Sequence, residues 1–85
     1  MALRPKAVSV VPQKEYKLLI GFDNGETRIF DVAPLIYGSW FGRLADPELF
    51  KTVRVGKHTI EWAEGQDVCP DDLYYLSVPV TTKTA

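Results

Sequence analysis

Hydrophobic and polar residues alternate in two runs that flank an Asn-Gly pair within residues 16–32. Alternation with a period of two is typical of β-strands, and Asn-Gly is a strong signal for the tight turn of a hairpin. This segment therefore predicts an antiparallel hairpin at the centre of the chain.

The register of this hairpin depends on the length of its turn. A two-residue turn at the Asn-Gly pair places Leu18 opposite Asp31, so that each face mixes polar and apolar side chains. A three-residue loop that includes the preceding aspartate places Leu18 opposite Phe30 instead. Because a slip of one residue moves every side chain to the other face, burial favours the longer loop, with Gly25 in the left-handed conformation. This register predicts one buried layer, made of Leu18, Ile20, Phe22, Phe30 and Val32.

Other elements are predicted on both sides of the hairpin. Asp46 followed by Pro47 is typical of a helix start, because aspartate caps the first turn and proline suits the first helical position. Pro70 begins a second helix in the same way. In chain order, the pattern predicts a strand over 7–11, a broken helix within 35–44, a helix of about one turn from residue 47, a second hairpin with strands over 52–55 and 59–62, and a helix over 70–76.

These elements predict an α+β fold in a single domain. Its small, mostly antiparallel sheet has four or five strands, formed by the N-terminal strand and the two hairpins, and short helices pack on one face. The predicted domain covers residues 7–77, with an N-terminal tail over 1–6 and a C-terminal tail over 78–85 that a brief edge strand precedes.

Composition and charge narrow the range of functions. The chain has 85 residues, is 46% hydrophobic and carries a net charge of −1, which gives no general attraction to nucleic acid. Acidic residues concentrate in the second half, where they predict a surface acidic patch. No run approaches the roughly 20 apolar residues of a membrane span, and no secretory signal is present. With one cysteine and no internal disulfide, we expect a cytoplasmic protein.

The residues that could carry chemistry are few. His58, the only histidine, falls at the tip of the second predicted hairpin, where an exposed turn residue is expected. Cys69, the only thiol, precedes a helix start among acidic residues, and a buried or half-buried side chain is expected there. The spacing of Asp67, Asp71 and Asp72 does not fit a calcium loop. We therefore expect no enzyme, no cofactor and no metal.

Two groups of residues are candidates for binding a protein partner. Trp40, Phe41 and Arg43 lie in a glycine-rich segment, and large aromatic side chains dominate the energetics of protein interfaces. The alternative is that both rings fill the thin core. Leu19 and Ile29 point to the second face of the predicted hairpin, where a small sheet protein can also form a homodimer.

A series of short motifs lies between residues 18 and 74. They are Leu18-x-Ile20-x-Phe22-x-Asn24-Gly25-Glu26-x-Arg28-x-Phe30-Asp31-Val32, Phe41-x-x-Leu44, Phe50-x-x-Val53, Ile60-x-Trp62, Gly65-x-Asp67 and Pro70-Asp71-x-Leu73-Tyr74. In this order and spacing they resemble the small bacterial family called domain of unknown function 2442, and the resemblance covers about residues 8–75. The resemblance implies an α+β fold and no established activity. It also implies, for some relatives, one half of a two-gene module similar to toxin–antitoxin pairs.

The leading hypothesis is a non-enzymatic protein-interaction module, an antitoxin-like or regulatory half of a bacterial two-gene module. Its partner would be the product of a neighbouring gene, and homo-oligomers through the sheet are a further expectation. The alternative is a small nucleic-acid-binding transcriptional regulator. Against that alternative, Lys51 and Arg54 are three residues apart, so strand alternation sends them to opposite faces.

Overall fold

A computed structural model describes residues 4–80 of the chain. Its elements are β1 (Ala7–Gln13), β2 (Lys17–Phe22), β3 (Thr27–Asp31), α1 (Pro47–Phe50), β4 (Arg54–Val55), β5 (Ile60–Glu61), α2 (Pro70–Tyr75) and β6 (Val78–Pro79). Four strands form one antiparallel sheet in the order β1-β2-β3-β6, and β4 pairs with β5 in a separate sheet. Short helices lie over one face of the larger sheet, which confirms the α+β fold.

The register of the central hairpin is the one that burial favours. Leu18 pairs with Phe30, and the amide of Phe22 donates to the carbonyl of Glu26 at 2.9 Å, which closes a three-residue loop. Gly25 in that loop has a φ of 92°, a left-handed conformation that glycine adopts without steric cost. The three-residue loop and the left-handed glycine are therefore confirmed.

One face of the larger sheet, called here the inner face, carries the core. The five side chains of the predicted buried layer are each no more than 3% exposed. Side chains from the rest of the chain complete this single cluster; they are Leu44, Leu49, Phe50, Val53, Ile60, Trp62, Val68 and Leu73. The prediction that short helices pack on one face of the sheet is confirmed.

The second hairpin departs from the prediction in two ways. It does not extend the larger sheet, and each of its strands has only two residues. Its apolar side chains turn into the core instead, where the indole nitrogen of Trp62 donates to the carbonyl of Phe50 at 3.0 Å. The hairpin is therefore attached to the rest of the domain through its side chains, and its two strands pair with each other and not with the larger sheet.

Strand β1 is longer than predicted, since it continues through Pro12 to Gln13. A proline has no N–H for a ladder, and it is accommodated because β1 is an edge strand of the sheet. A broken helix is predicted within 35–44, but the structure instead has two separate 3₁₀ turns, over 33–35 and 41–45. Residues 36–40 between them are not helical, and Gly38 has a left-handed φ of 79°. The predicted cap is confirmed, because the Asp46 carboxylate accepts from the amide of Glu48 at 3.0 Å.

Strand β6 lies within the segment assigned to the C-terminal tail. Val78 pairs with Ile29 and Pro79 with Arg28, and the amide of Val80 donates to the carbonyl of Thr27 at 2.9 Å. Residues 1–3 and 81–85 of the two predicted tails lie outside the described residues. No helix within 4–80 has the length and apolar character needed to cross a membrane.

Candidate interaction surfaces

The outer face of the larger sheet carries an apolar row that crosses all four strands. Val11 pairs with Leu19, Leu19 with Ile29, and Ile29 with Val78. Val11 is 50% exposed and Val78 is 64% exposed, and the two central side chains are half-buried. We call these four residues the outer row. A continuous line of accessible aliphatic side chains on an open sheet is a feature of contact surfaces.

Small and charged side chains flank the outer row on its two sides. On one side, Ser9 pairs with Gly21 and Gly21 with Thr27; on the other, Lys17 pairs with Asp31. A Cβ added at Gly21 would lie 2.5 Å from the Ser9 hydroxyl oxygen, so a larger residue there would require the Ser9 side chain to move. The side chains on this side of the row are therefore small, and a flat partner surface can approach the aliphatic side chains closely.

The Trp40–Arg43 segment lies on the other side of the molecule, in the layer that covers the inner face. Trp40 is 48% exposed, and its ring lies against Gly65, where an added Cβ would be 3.7 Å from the ring. Phe41 is half-buried and packs against the core. The two aromatic residues thus have different surroundings: Trp40 is a surface residue and Phe41 belongs largely to the core.

Arg43 holds this segment to the turn that follows the second hairpin. Its guanidinium donates two hydrogen bonds to the carboxylate of Glu64. These bonds lower the pKa of Glu64 and raise the pKa of Arg43. The buried amide of Gln66 donates to the carbonyl of Trp40 at 3.1 Å. Both ends of the Trp40–Arg43 segment are therefore anchored, one by Gln66 and the other by Glu64.

The structure does not bring the two predicted groups together. Leu19 and Ile29 are neighbours in the outer row, whereas Trp40, Phe41 and Arg43 lie across the core from them. A single globular partner of ordinary size would contact one surface or the other. The molecule thus presents two separate candidate surfaces.

Val11 and Val78 belong to the outer row but were not predicted. The alternation in β1 puts Val11 on the outer face, but this can be seen only when the pairing of β1 with β2 is known. Val78 carried no such signal, because a two-residue strand before a polar C-terminal segment has no measurable period.

A cluster of polar groups places Val78 at the edge of the sheet. The Arg28 guanidinium lies over the Tyr74 ring at 4.4 Å and donates to both the hydroxyl and the carbonyl of Ser77, each at 2.8 Å. The Tyr74 hydroxyl donates to Glu26, and this bond is the main cause of the lowered pKa of Glu26 and the raised pKa of Tyr74. The cluster ties the end of α2 to β3, directly before β6 begins.

The side chains that could take part in catalysis or metal binding lie apart from one another. His58 is exposed at the tip of the second hairpin, as expected. Cys69 is exposed at the start of α2, so the expectation of a buried side chain is wrong. It caps the helix by position, and the apolar contacts there are made by its neighbour Val68. Within 4–80, no three His, Cys, Asp or Glu side chains are grouped to hold a metal ion.

A family model described as "Protein of unknown function (DUF2442)" matches residues 7–79. The chain belongs to the DUF2442 family. The matched range begins with the first residue of β1 and ends with the last residue of β6, so the whole outer row lies inside the DUF2442 domain. No curated protein and no solved structure matches the chain.

Proposed function

We propose that this DUF2442 domain is a non-enzymatic protein-interaction module that binds a protein partner through the outer row. The observation that carries the proposal is the alignment of four aliphatic side chains, two exposed and two half-buried, across all four strands of the sheet. Scattered apolar residues are ordinary on a protein surface, but a continuous row on an uncovered face is a feature of interaction sites.

The chemistry of the row defines the surface that would fit it. Aliphatic side chains favour an apolar partner surface, such as a helix face or another sheet, over a charged one. Burying a half-exposed valine contributes about 1 kcal/mol, so the row supplies a few kcal/mol and the polar flanks set orientation. Lys17 and Asp31 offer one charge of each sign beside the row.

The family resemblance supports a more specific partner. The resemblance implies, for some relatives, one half of a two-gene module, and on that ground the partner proposed is the product of a neighbouring gene, with this chain as its antitoxin-like or regulatory half. A second copy of this chain is the other candidate, since an open sheet face can pair with itself. Trp40 provides a separate surface for an additional contact.

Charge pairing weighs against the nucleic-acid alternative. Every arginine within 4–80 is in an ion pair: Arg4 with Asp71, Arg28 with Glu26, Arg43 with Glu64 and Arg54 with Glu61. Nucleic-acid binding depends on basic side chains that neutralise phosphates. Binding of this kind would have to break several of these pairs or rest on lysines alone.

The test is co-purification with the product of the neighbouring gene, using Val11→Lys and Val78→Lys to place a charge in the row. Each variant should weaken the complex at least about tenfold, which corresponds to about 1.4 kcal/mol. Tyr37→Lys is the matched control, because Tyr37 is 73% exposed and lies outside the sheet.

Light scattering on the pure chain separates the two partner classes. A dimer that both row variants disrupt would identify a second copy as the occupant. Full binding by both variants, with the chain remaining a monomer, would contradict the use of the outer row.

A further inference from the structure

An open cleft of about 590 Å³ lies between the turn that joins β1 to β2 and helix α1. Its apolar walls are formed by Pro12, Tyr16, Pro47 and Phe50, and Lys14 and Lys51 also line it. Ligand sites in proteins have volumes of roughly 300–1,000 Å³ and combine apolar walls with a few polar groups. None of the residues that line the cleft belongs to the outer row or to the Trp40–Arg43 segment.

The turn that forms one wall has an unusual backbone. Glu15 has φ 60° and ψ 34°, and Tyr16 has φ 61°, so two consecutive residues with side chains are left-handed. Each such residue costs roughly 1–2 kcal/mol, and turns of this shape are normally formed by glycine or asparagine. The chain has a tyrosine where the backbone alone would favour glycine.

Contacts of Tyr16 hold this wall in place. Its hydroxyl donates to the carbonyl of Ala45 at 2.5 Å, and its carbonyl accepts from the amide of Val32 at 2.9 Å. Its ring meets Phe50 edge to face, with 5.2 Å between the ring centroids. The wall is therefore preorganised, and strained residues held by their surroundings concentrate at binding sites.

The charge of the cleft differs from that of the chain as a whole. Lys14 and Lys51 line it together with Glu15. Two lysines and one glutamate thus give the cleft a positive balance in a chain whose net charge is −1. A ligand that complements this site carries negative charge beside a flat apolar group.

We propose that the cleft binds an acidic peptide segment of a protein partner, with one aromatic side chain of that peptide lying between Tyr16 and Pro47. The carboxylates of the peptide would meet Lys14 and Lys51 at the rim. An open cleft between two surface elements admits an extended segment, and aromatic and proline walls offer the flat surfaces on which a ring packs. This inference does not depend on the outer row.

The probe is a fluorescent five-residue peptide with a central tryptophan flanked by two acidic residues on each side. Fluorescence anisotropy measures its affinity for the intact chain, and backbone amide NMR shifts locate it. We expect saturable binding, with shifts concentrated in residues 13–17 and 48–51. Lys14→Glu and Lys51→Glu should each weaken binding at least about fivefold, as expected for loss of a charge pair in a partly desolvated site.

Matched controls separate this site from general electrostatic attraction. Lys57→Glu makes the same charge change at the tip of the second hairpin and should leave binding unchanged. A peptide with alanine in place of tryptophan tests the apolar contact, and a peptide with lysines in place of the acidic residues tests the charge. Both should bind at least about tenfold more weakly than the probe.

Three results would overturn the inference. They are absence of saturable binding, equal binding of the lysine peptide, and shifts located in the outer row instead of the cleft. A single-stranded oligonucleotide is the competing anionic ligand with flat rings. Tighter binding of oligothymidine than of the acidic peptide would reassign the cleft to nucleic acid, and the test of the outer row would be unaffected.

Discussion

Two turns of equal length join the first three strands, and they reach their shapes by opposite means. The β2–β3 turn places glycine at its left-handed position, Gly25, with φ 92°. The β1–β2 turn places Glu15 and Tyr16 at left-handed positions, with φ values of 60° and 61°. The β2–β3 turn has glycine, which readily adopts a left-handed backbone, whereas the β1–β2 turn has two residues that disfavour that backbone.

The β2–β3 turn is stabilised by its own residues. The Asn24 side chain accepts from the amide of Glu26 at 3.0 Å, and no atom lies within 4 Å of a Cβ added at Gly25. The β1–β2 turn instead depends on distant contacts of Tyr16, with Ala45, Val32 and Phe50. The comparison shows that the residues of one turn favour its backbone, whereas the other turn keeps a backbone that its residues disfavour and is supported by distant contacts.

The largest expected effect comes from removing the distant contacts. Tyr16→Ala should lower the free energy of unfolding by about 2–3 kcal/mol, because it deletes a half-buried ring and its hydrogen bond and leaves the strained backbone. Urea denaturation measures the change. Tyr37→Ala is the control, since Tyr37 is exposed and should change stability by less than about 0.5 kcal/mol. Equal effects of the two variants would show that the β1–β2 turn does not depend on Tyr16.

A smaller loss is expected from the β2–β3 turn. Gly25→Ala should cost about 1–2 kcal/mol, because a Cβ at a φ of 92° is strained even with open space around it. The midpoint of urea denaturation should fall while its slope stays constant. An unchanged midpoint would mean that this turn relaxes to another shape, and would remove the contrast between the two turns.

The opposite sign is expected for the matching substitution in the other turn. Glu15→Gly should raise the free energy of unfolding by about 0.5 kcal/mol, since relief of the left-handed strain outweighs the added freedom of the unfolded chain. The exposed Glu15–Lys17 ion pair, at 3.9 Å, contributes little. A loss of stability comparable to that of Gly25→Ala would show that the Glu15 side chain itself stabilises the turn.

The same contrast explains what the sequence could predict. The register of the central hairpin followed from alternation and the Asn-Gly signal, and the Asp46 cap followed from local chemistry. The tight turn at Glu15 and Tyr16 gave no signal, because neither residue type favours a left-handed backbone.

Features that depend on contacts between residues far apart in the chain could not be predicted from the sequence either. Whether the second hairpin joins the larger sheet is decided by Ile60 and Trp62 entering the core. The position of Val78 in the outer row depends on Arg28 holding Ser77, 49 residues away in sequence. The candidate cleft brings Pro12 and Tyr16 against Pro47 and Phe50, residues whose proximity no local pattern indicates.

The smallest expected effect is a pH dependence that belongs to the β2–β3 turn. The Tyr74 hydroxyl and the Asn24 amide both donate to Glu26, and with Arg28 nearby they lower its pKa below the ordinary value of 4.5. A carboxyl whose pKa is lower in the folded chain stabilises the fold above its unfolded pKa, and this contribution is lost as pH falls through the folded pKa. The unfolding midpoint should therefore decline below about pH 4.5, and less so in Glu26→Gln.

Tyr74→Phe sharpens this prediction, because it removes the main cause of the lowered pKa while keeping the ring under Arg28. Its pH dependence should lie between those of the wild type and Glu26→Gln. Glu64 also has a lowered pKa, from Arg43, so part of the decline should persist in every Glu26 and Tyr74 variant. Identical pH profiles for the wild type and Glu26→Gln would show that the side-chain bonds of Glu26 do not stabilise the fold. The β2–β3 turn would then depend on its backbone and the Asn24 side chain without the Glu26 carboxylate, and its contrast with the β1–β2 turn would become sharper.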